Sequence, residues 1–384
     1  MKCVSLSVLA SLTFAITTGA LHAAPLVEDD TFISATIGGQ PFRLEALIVK
    51  PEGAQGRLPI ALITHGRSSK PEDNSNTRAR GMQAQARDMA QRGYLAVALV
   101  RRGFGKSEGL LAPGIDCERQ DYITSLEHSA DDLVAALESI ASRPDADRSR
   151  SIAIGVSAGG ATMLALAARK PRGLAGIVNV SGGVKLTARN GGPCRFEPSL
   201  IATAAFYGAQ IRIPSLWLYA ENDSFFEKDM VRRMHASFTG AGGRGDLQIY
   251  GPLKEDGHRL FNLFEGRRQW IASLDRFLRA NRLPTWDMAG FEQALGAERV
   301  VRNDRAIVER YFALPGDKVL ARSISGKKLY WFAGGELAQM RQKAVENCEK
   351  EAGEPCPILF ENFDLMDQKT SDAKAAVDGD SVSR

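Results

Sequence analysis

The sequence predicts an α/β fold, a mostly parallel β-sheet covered by helices on both faces, followed by a small α+β module. Between residues 58 and 281, short apolar runs that are typical of buried strands alternate with helical patterns. One of these runs leads through a glycine-flanked serine into an Ala/Leu-rich helix, as at a strand-to-helix elbow. The alternation stops at Pro284, so the last hundred residues are expected to form a separate unit.

The front of the chain is expected to form an antiparallel hairpin. Residues 31–37 and 42–49 alternate between apolar and polar side chains, with Gly38-Gly39-Gln40 between them. A hairpin of this kind belongs on the edge of the sheet.

The remaining elements of the main domain follow from apolar periodicity. Strands are predicted at residues 58–66, 95–100, 152–155, 174–180, 216–220 and 247–250. Helices are predicted at residues 76–92, 130–140, 161–168, 200–209 and 268–281.

The last region has a different pattern. Short helices are expected near residues 291–294 and 306–312, a strand at 328–333, a helix at 337–351 and a strand at 357–363. The polar tail is expected to be disordered. The predicted division is a signal peptide at 1–23, a catalytic domain at 24–284, a small module at 285–367 and a tail at 368–384.

The amino terminus has the pattern of an export signal. Lys2 precedes the apolar run 4–20, and Leu21-His22-Ala23 is an acceptable cleavage site, with Ala24 as an alternative. A signal anchor is the alternative. No second segment reaches a transmembrane length, so we expect an exported, periplasmic or secreted protein without stable membrane insertion. The net charge of +4 over 384 residues, without a basic block, argues against nucleic acid as a partner.

Four cysteines remain after removal of the signal, and an even count in an exported chain suggests two disulfides. We predict the pairs Cys117–Cys194 and Cys348–Cys356, with four free buried thiols as the alternative. No metal-ligand spacing is present, so no metal is expected. No cofactor is expected either, because Val100 stands where a phosphate loop ending at Gly105-Lys106-Ser107 requires glycine.

The motif Gly-Val-Ser-Ala-Gly at residues 155–159 makes Ser157 the candidate nucleophile, with a helix-capping role as the alternative. A serine hydroxyl needs a base and an orienting acid, which in this architecture follow it in the order acid, then histidine. His258 lies in a loop after the last strand, whereas His235 lies in residues 231–238, which have the pattern of a helix interior. Asp223 is the favoured acid and Glu221 the alternative.

Two backbone amides are expected to stabilise an oxyanion, those of Ala158 and of Arg67 in the loop after the first buried strand. His65 in that loop is expected to be structural. Two long loops, 107–125 and 182–198, are expected to form a rim tied by Cys117 and Cys194. Arg119 and Arg195 in this rim could hold an acidic substrate group, or they could face solvent.

These residues resemble an α/β-hydrolase of the dienelactone hydrolase-like kind over about residues 30–282. The matching pieces are Thr-His-Gly at 64–66, Arg-Gly-Phe-Gly-Lys-Ser at 102–107, the serine motif, Leu-Tyr-Ala-Glu-Asn-Asp at 218–223 and Asp-Gly-His at 256–258. The resemblance implies a triad of Ser157, Asp223 and His258. Dienelactone hydrolases carry a cysteine nucleophile, so the serine here favours a general ester over a lactone. The region after 284 weakly resembles a disulfide-stapled βαβ module of exported bacterial proteins.

The sequence therefore predicts an exported serine hydrolase that cleaves a small-molecule carboxylic ester through an acyl-enzyme. A serine peptidase of related fold is one alternative. A catalytically silent binding protein on the same scaffold is the other. The acyl and alcohol groups and the oligomeric state are left open.

Overall fold

The computed structural model describes residues 25–68, 71–188, 192–286 and 309–366. The predicted signal peptide at 1–23, the short helix near 291–294 and the predicted disordered tail lie outside the described residues. So does the start of the helix predicted at 306–312, of which residues 309–312 are helical.

The main sheet has eight strands, and their order across the sheet is β1-β2-β4-β3-β5-β6-β7-β8. The strands are β1 (Leu26–Ile37), β2 (Gln40–Pro51), β3 (Leu58–Thr64), β4 (Leu95–Leu99), β5 (Ala146–Val156), β6 (Leu174–Val180), β7 (Ser215–Ala220) and β8 (Gly245–Tyr250).

Only the hairpin departs from the parallel arrangement. β1 pairs antiparallel with β2, and β2 pairs antiparallel with β4, whereas β3 to β8 are joined by parallel pairing alone. The hairpin therefore lies at the edge of the sheet, as its alternating sequence predicts. In this arrangement the carboxyl ends of the parallel strands meet at one edge, where the loops that carry side chains for chemistry converge.

In the described part of the chain, six α-helices pack around this sheet. They are α1 (Gln83–Ala90), α2 (Tyr122–Ala141), α3 (Ala158–Ala168), α4 (Glu197–Gly208), α5 (Lys228–Gly240) and α6 (Phe264–Ala280). Two separate apolar clusters result, one containing residues of α2 to α5 and the other containing residues of α1 and α6. Helices thus cover both faces of the sheet, which confirms the predicted fold class.

The predicted helices differ from the structure in their bounds, and two of them differ most. The predicted helix 76–92 is an α-helix only from Gln83, because two short 3-10 helices, 71–76 and 79–82, precede it. At the second of them, the amide of Ala79 donates to Glu45 Oε1 at 3.0 Å instead of starting a regular helix. Conversely, α2 begins at Tyr122, eight residues before the prediction, because the Asp121 carboxylate caps it by accepting from the Thr124 amide.

In the described residues, the second unit contains an antiparallel sheet and a long helix. Its strands are β9 (Lys318–Arg322), β10 (Leu329–Ala333), β11 (Ile358–Glu361) and β12 (Asp364–Leu365), and α7 (Leu337–Ala352) separates β10 from β11. The strand order is β10-β9-β11-β12. A disulfide between Cys348 and Cys356 joins the end of α7 to the segment before β11.

The strand–helix–strand pattern predicted for this unit is incomplete. It omits β9, which pairs with both β10 and β11 and therefore separates them. β9 is only five residues long and has a charged residue at each end, Lys318 and Arg322, so its apolar content is too small to stand out in the sequence. In the structure, Val319 to Ala321 are fully buried.

Within the described residues, the structure contains no helix that is both long and apolar enough to cross a membrane.

Candidate active site

Ser157 stands at a sharp turn between β5 and α3. Its backbone has φ 55° and ψ −124°, a conformation that a residue with a side chain rarely adopts. The turn needs glycine on both sides of it. A Cβ at Gly155 would lie 2.2 Å from the carbonyl oxygen of Gly159, and a Cβ at Gly159 would lie 2.3 Å from the carbonyl oxygen of His65. The sequence motif therefore forms a serine elbow at the carboxyl edge of the sheet.

The loops after β7 and β8 bring an acid and a histidine to the same edge. His258 Nε2 lies 3.1 Å from Ser157 Oγ, and His258 Nδ1 lies 3.0 and 3.1 Å from the two carboxylate oxygens of Asp223. The residues are 101 and 35 positions apart along the chain. The structure thus places the three predicted residues in one hydrogen-bonded series.

The Asp223 carboxylate is fixed from behind by its own loop. Its Oδ1 accepts hydrogen bonds from the amides of Phe225 and Phe226 at 2.9 and 3.1 Å, and its side chain is completely buried. Glu221, the alternative acid, is directed elsewhere and pairs with Lys228 Nζ at 3.4 Å on the surface. The geometry therefore separates two acids that stand only two residues apart.

The imidazole is also held from its faces and from its own loop. The Phe225 ring stacks on the His258 ring, with centroids 4.2 Å apart. The Asp256 carboxylate accepts from the amides of His258 and Ser224 at 2.9 and 3.1 Å, and from the Ser224 hydroxyl at 2.7 Å. Burial raises the pKa of Asp256, but these hydrogen bonds outweigh it and hold the pKa below its ordinary value. Asp256 thus ties the histidine loop to the acid loop.

This arrangement can transfer a proton from serine to histidine. If Nδ1–H donates to Asp223, Nε2 is free to accept the hydroxyl proton of Ser157. The carboxylate would then stabilise the imidazolium that forms, and the serine oxygen would become a nucleophile.

The two predicted oxyanion donors belong to segments that adjoin the serine. Ala158 is the first residue of α3, and an amide in the first turn of a helix has no partner within the helix. The loop that contains Arg67 touches the serine, since a Cβ at Gly66 would lie 2.9 Å from Ser157 Cβ. Among the described residues, the Arg67 amide donates to no acceptor.

His65 has a structural position in this loop, as predicted. Its Nδ1 donates to the carbonyl oxygen of Gly66 at 2.7 Å, and its Nε2 accepts from the Arg101 amide at 3.1 Å. Burial, and then the charge of Arg101, lower the pKa of His65 well below its ordinary value. The ring is therefore neutral at pH 7. His235, the rejected base, lies on α5 with its ring 5.5 Å from that of Trp217, away from the serine elbow.

The predicted rim is tied as the sequence suggests. A disulfide joins Cys117 to Cys194, which lie 77 residues apart. Gln120 Nε2 adds a bridge between the same two loops, because it donates to the carbonyl oxygens of Cys117 and Arg195 at 3.0 and 3.3 Å. Arg119 and Arg195 are both exposed at this rim. No cluster of metal-ligating side chains occurs in the described parts of the chain.

Three neighbours of the site were missed by the sequence analysis: Phe225, Asp256 as a tie between loops, and Arg101. Phe225 follows the acid by two residues and Asp256 precedes the histidine by two. Arg101 comes two residues after β4, at the same edge of the sheet. All three residues follow the end of a strand, which indicates that they could lie near the site. Their position in the sequence does not show in which direction their side chains point.

Residues 75–208 match the model of a known family, described as serine aminopeptidase, S33. The match includes Ser157 but ends before Asp223 and His258. No curated protein is similar enough to this sequence to count as a relative.

Several solved structures are similar to this chain. One is a protein from Klebsiella pneumoniae that is assigned as a dienelactone hydrolase, with 19% identity, a TM-score of 0.46, and coverage of 67% of this chain and 99% of that one. Another is a dienelactone hydrolase-like promiscuous phosphotriesterase from metagenomic libraries, with 20% identity, a TM-score of 0.42, and coverage of 61% and 82%. A third is an esterase from Pyrococcus furiosus, with 14% identity, a TM-score of 0.48, and coverage of 66% and 91%.

The strand order, the serine elbow between β5 and α3, and the family match over the same segment agree with one another. Together they show that the main domain has an α/β-hydrolase fold.

Proposed function

We propose that this protein is an exported serine hydrolase that cleaves a carboxylic ester of a small molecule. Ser157 is the nucleophile, His258 the general base and acid, and Asp223 the residue that orients the imidazole. The observation that carries the proposal is the series of hydrogen bonds from Ser157 Oγ through His258 to Asp223, at 3.1 and 3.0 Å. Each of the three side chains comes from a different loop at the same edge of the sheet.

The reaction has two halves. Ser157 Oγ attacks the ester carbonyl carbon while its proton moves to His258 Nε2, and the carbonyl oxygen becomes an oxyanion held by the amides of Ala158 and Arg67. His258 then gives the proton to the leaving alcohol, which leaves an acyl group on Ser157. Water, deprotonated by His258, attacks that acyl group and releases the carboxylic acid and the free serine.

A serine-directed fluorophosphonate probe tests this assignment. We expect it to label the wild type and a Ser142→Ala control, whose hydroxyl lies at the end of α2, but not Ser157→Ala. Hydrolysis of p-nitrophenyl esters by Ser157→Ala should fall by at least about 10⁴-fold, because the nucleophile is absent. Labelling that persists in Ser157→Ala, or full ester hydrolysis by that variant, would refute the proposal.

A serine peptidase is the second candidate, and the match to a serine aminopeptidase family model favours it. The two activities differ in the leaving group, which is an alcohol for an ester and an amine for a peptide. Comparing kcat/KM for p-nitrophenyl esters and for aminoacyl p-nitroanilides with the same acyl group distinguishes them. A wild type that hydrolyses neither substrate and takes up no probe would instead be a binding protein on this scaffold.

The proposed location is outside the cytoplasm. The two disulfides, Cys117–Cys194 and Cys348–Cys356, support it because such bonds persist in oxidising compartments. A mature amino terminus at Ala24 on the exported protein would agree with the proposed signal peptide, and retention of the full-length chain in the cytoplasm would contradict it. Arg119 and Arg195 remain proposed contacts for an acidic substrate group.

A further inference from the structure

A buried arginine that the proposed mechanism does not use, Arg101, lies directly behind the loop after β3. The residue is 3% exposed. Its Nη1 donates to Thr64 Oγ1 at 2.8 Å and to the carbonyl oxygen of His65 at 2.6 Å, and its Nη2 donates to the carbonyl oxygen of Gly66 at 3.2 Å. One guanidinium thus binds three consecutive residues, 64–66.

The opposite side of this loop is pressed against the serine elbow. A Cβ at Gly66 would lie 2.9 Å from Ser157 Cβ and 3.4 Å from Ser157 Oγ. The carbonyl oxygen of His65 approaches Gly159 so closely that a Cβ there would lie 2.3 Å from it. The loop therefore lies between Arg101 and the elbow, with no room to shift toward the serine.

Planarity of the peptide bond links Arg101 to the next amide. The carbonyl oxygen of Gly66 accepts from Arg101 Nη2 and from His65 Nδ1. In a trans peptide the carbonyl and the following N–H point in opposite directions. Holding the carbonyl of Gly66 toward Arg101 therefore turns the N–H of Arg67 away from Arg101. Loss of these bonds would free that peptide to rotate.

The glycine-rich segment after β4 keeps Arg101 in place. The Arg101 guanidinium lies 5.3 Å from the centre of the Phe104 ring, and the same ring meets the His65 ring edge to face at 4.6 Å. The Ser107 hydroxyl closes the segment by donating to the carbonyl oxygen of Val100 at 2.7 Å. The sequence of segment 101–107 lacks the pattern of a phosphate loop or a dinucleotide-binding loop. In the structure, this segment supports the loop after β3.

We propose that Arg101 is a positioning residue for the oxyanion hole, which acts by fixing the direction of the Arg67 amide. This inference rests on the proposed function. Lysine cannot replace arginine here, because its donors all radiate from one nitrogen and cannot reach acceptors on three residues in the planar fork geometry of a guanidinium. If Arg101 has this role, its substitution should slow hydrolysis more when oxygen carries the developing negative charge than when sulfur carries it.

The test uses Arg101→Lys and Arg101→Met, with Arg102→Lys as the matched control. Arg102 is the adjacent residue and is also buried, but its guanidinium and its amide bind Asp132, at 2.5 and 2.8 Å, and not the loop after β3. Each variant is assayed with p-nitrophenyl butyrate and with its thionoester, in which sulfur replaces the carbonyl oxygen. Sulfur accepts hydrogen bonds weakly, so the thionoester gains little from an oxyanion hole.

We expect Arg101→Lys to lower kcat for the oxygen ester by about 10- to 100-fold, the range for a misplaced oxyanion donor. The fall for the thionoester should be several-fold smaller, and KM should change little. Arg102→Lys should keep the wild-type ratio of the two rates, whatever its effect on stability. Arg101→Met should behave as Arg101→Lys, but the lysine variant, which keeps the buried charge, carries the test if the methionine variant does not fold.

Equal losses on the two substrates, or an unchanged kcat for Arg101→Lys, would overturn the inference while the wild type remains an active esterase. Failure of the proposed function has a different signature, since the wild type itself would then hydrolyse neither substrate. The two failures are therefore distinguishable.

Discussion

The carboxylates of Asp223, Glu221 and Asp256 all lie in the two loops that hold His258, and their surroundings give them different roles. Asp223 is buried, is held by two amides and meets His258 at Nδ1. Glu221 pairs with Lys228 at the surface. The Asp256 carboxylate accepts hydrogen bonds from two backbone amides and a hydroxyl of these loops, and not from the imidazole ring. At this scale, function depends on the groups that each side chain contacts more than on its type.

His65 gives a prediction at the same scale. Its pKa in the folded protein lies well below the unfolded value of about 6.5, because the ring is buried beside Arg101. Its contribution to stability is therefore complete above pH 6.5 and is lost as the pH falls below that value, where the unfolded chain binds a proton and the folded protein does not. The free energy of unfolding should fall by up to about 1.4 kcal/mol per pH unit from this residue.

Urea unfolding between pH 7.5 and 4.5 measures this slope. A His65→Gln variant lacks this titrating group, so its free energy of unfolding should fall less steeply with decreasing pH than that of the wild type. A His235→Gln variant should also have a less steep slope, because burial lowers the pKa of His235 as well. If His65→Gln has the same slope as the wild type over the whole range, the interpretation is wrong.

At the scale of elements, the site is built from loops fixed by a few cross-links. The Cys117–Cys194 disulfide and the Gln120 bridge join the loop before α2 to the loop before α4. Tyr122 adds a contact, since its hydroxyl donates to the carbonyl oxygen of Val184 at 2.9 Å. The two loops are thus held to each other near the start of α2.

Removing this disulfide should affect stability and substrate binding together. Closing a loop of 77 residues stabilises the folded protein by about 4.5 kcal/mol in the chain-entropy model, and the 8-residue separation of Cys348 and Cys356 by only about 2.5 kcal/mol. We expect the double variant Cys117→Ser/Cys194→Ser to have a lower Tm and a several-fold higher KM for esters.

The double variant Cys348→Ser/Cys356→Ser is the control, and it should lower Tm less and leave KM unchanged. Thermal unfolding and ester kinetics on both proteins decide the matter. If the Cys117→Ser/Cys194→Ser variant has the KM and Tm of the wild type, the two rim loops do not need the disulfide.

At the scale of the whole molecule, buried charges join the second sheet to the main domain. Asp88 on α1 accepts from Arg267 on α6 at 2.7 Å and from the amide of Gly316 at 2.8 Å. Arg92 pairs with Asp275 at 2.6 Å, and the indole of Trp286 donates to the same carboxylate at 3.0 Å. These contacts between the two units are polar, and the side chains of Asp88, Arg92 and Asp275 are buried.

Lys318 at the start of β9 lies at this connection. Its side-chain nitrogen is buried and donates to the carbonyl oxygens of Leu314 and Phe312 at 2.8 and 3.2 Å. Burial, and then the charge of Arg92, lower its pKa to about 7. A lysine in such a place is tolerated because backbone carbonyls and the Phe363 ring, 4.1 Å from the nitrogen, replace the lost water.

Substituting one member of this buried group should be severe. Asp88→Ala leaves the Arg267 guanidinium and the Gly316 amide without their acceptor, and breaking a buried ion pair costs about 3–5 kcal/mol. Asp229→Ala, which removes an exposed pair with Arg232, should cost less than about 1 kcal/mol. Urea unfolding of the two variants gives the comparison, and similar losses in both would show that the buried group does not hold the units together.

Most of the main domain follows from the sequence, because buried strands and amphipathic helices leave strong periodic patterns. The second unit follows only in part. β9 is five residues long, and its role as the strand between β10 and β11 depends on pairing with distant segments. The start of α2 was misplaced for a related reason, since a single capping carboxylate at Asp121 decides it.

The sequence by itself determined the fold class, the serine elbow and the candidates for acid and base, because local patterns and chain order carry that information. Only the tertiary structure decided that Asp223 rather than Glu221 faces His258, and that Arg101 donates hydrogen bonds to the loop beside Ser157. Those choices depend on the direction of side chains at the ends of neighbouring strands. Direction is set by packing between segments that are far apart in the chain, and no local pattern records it.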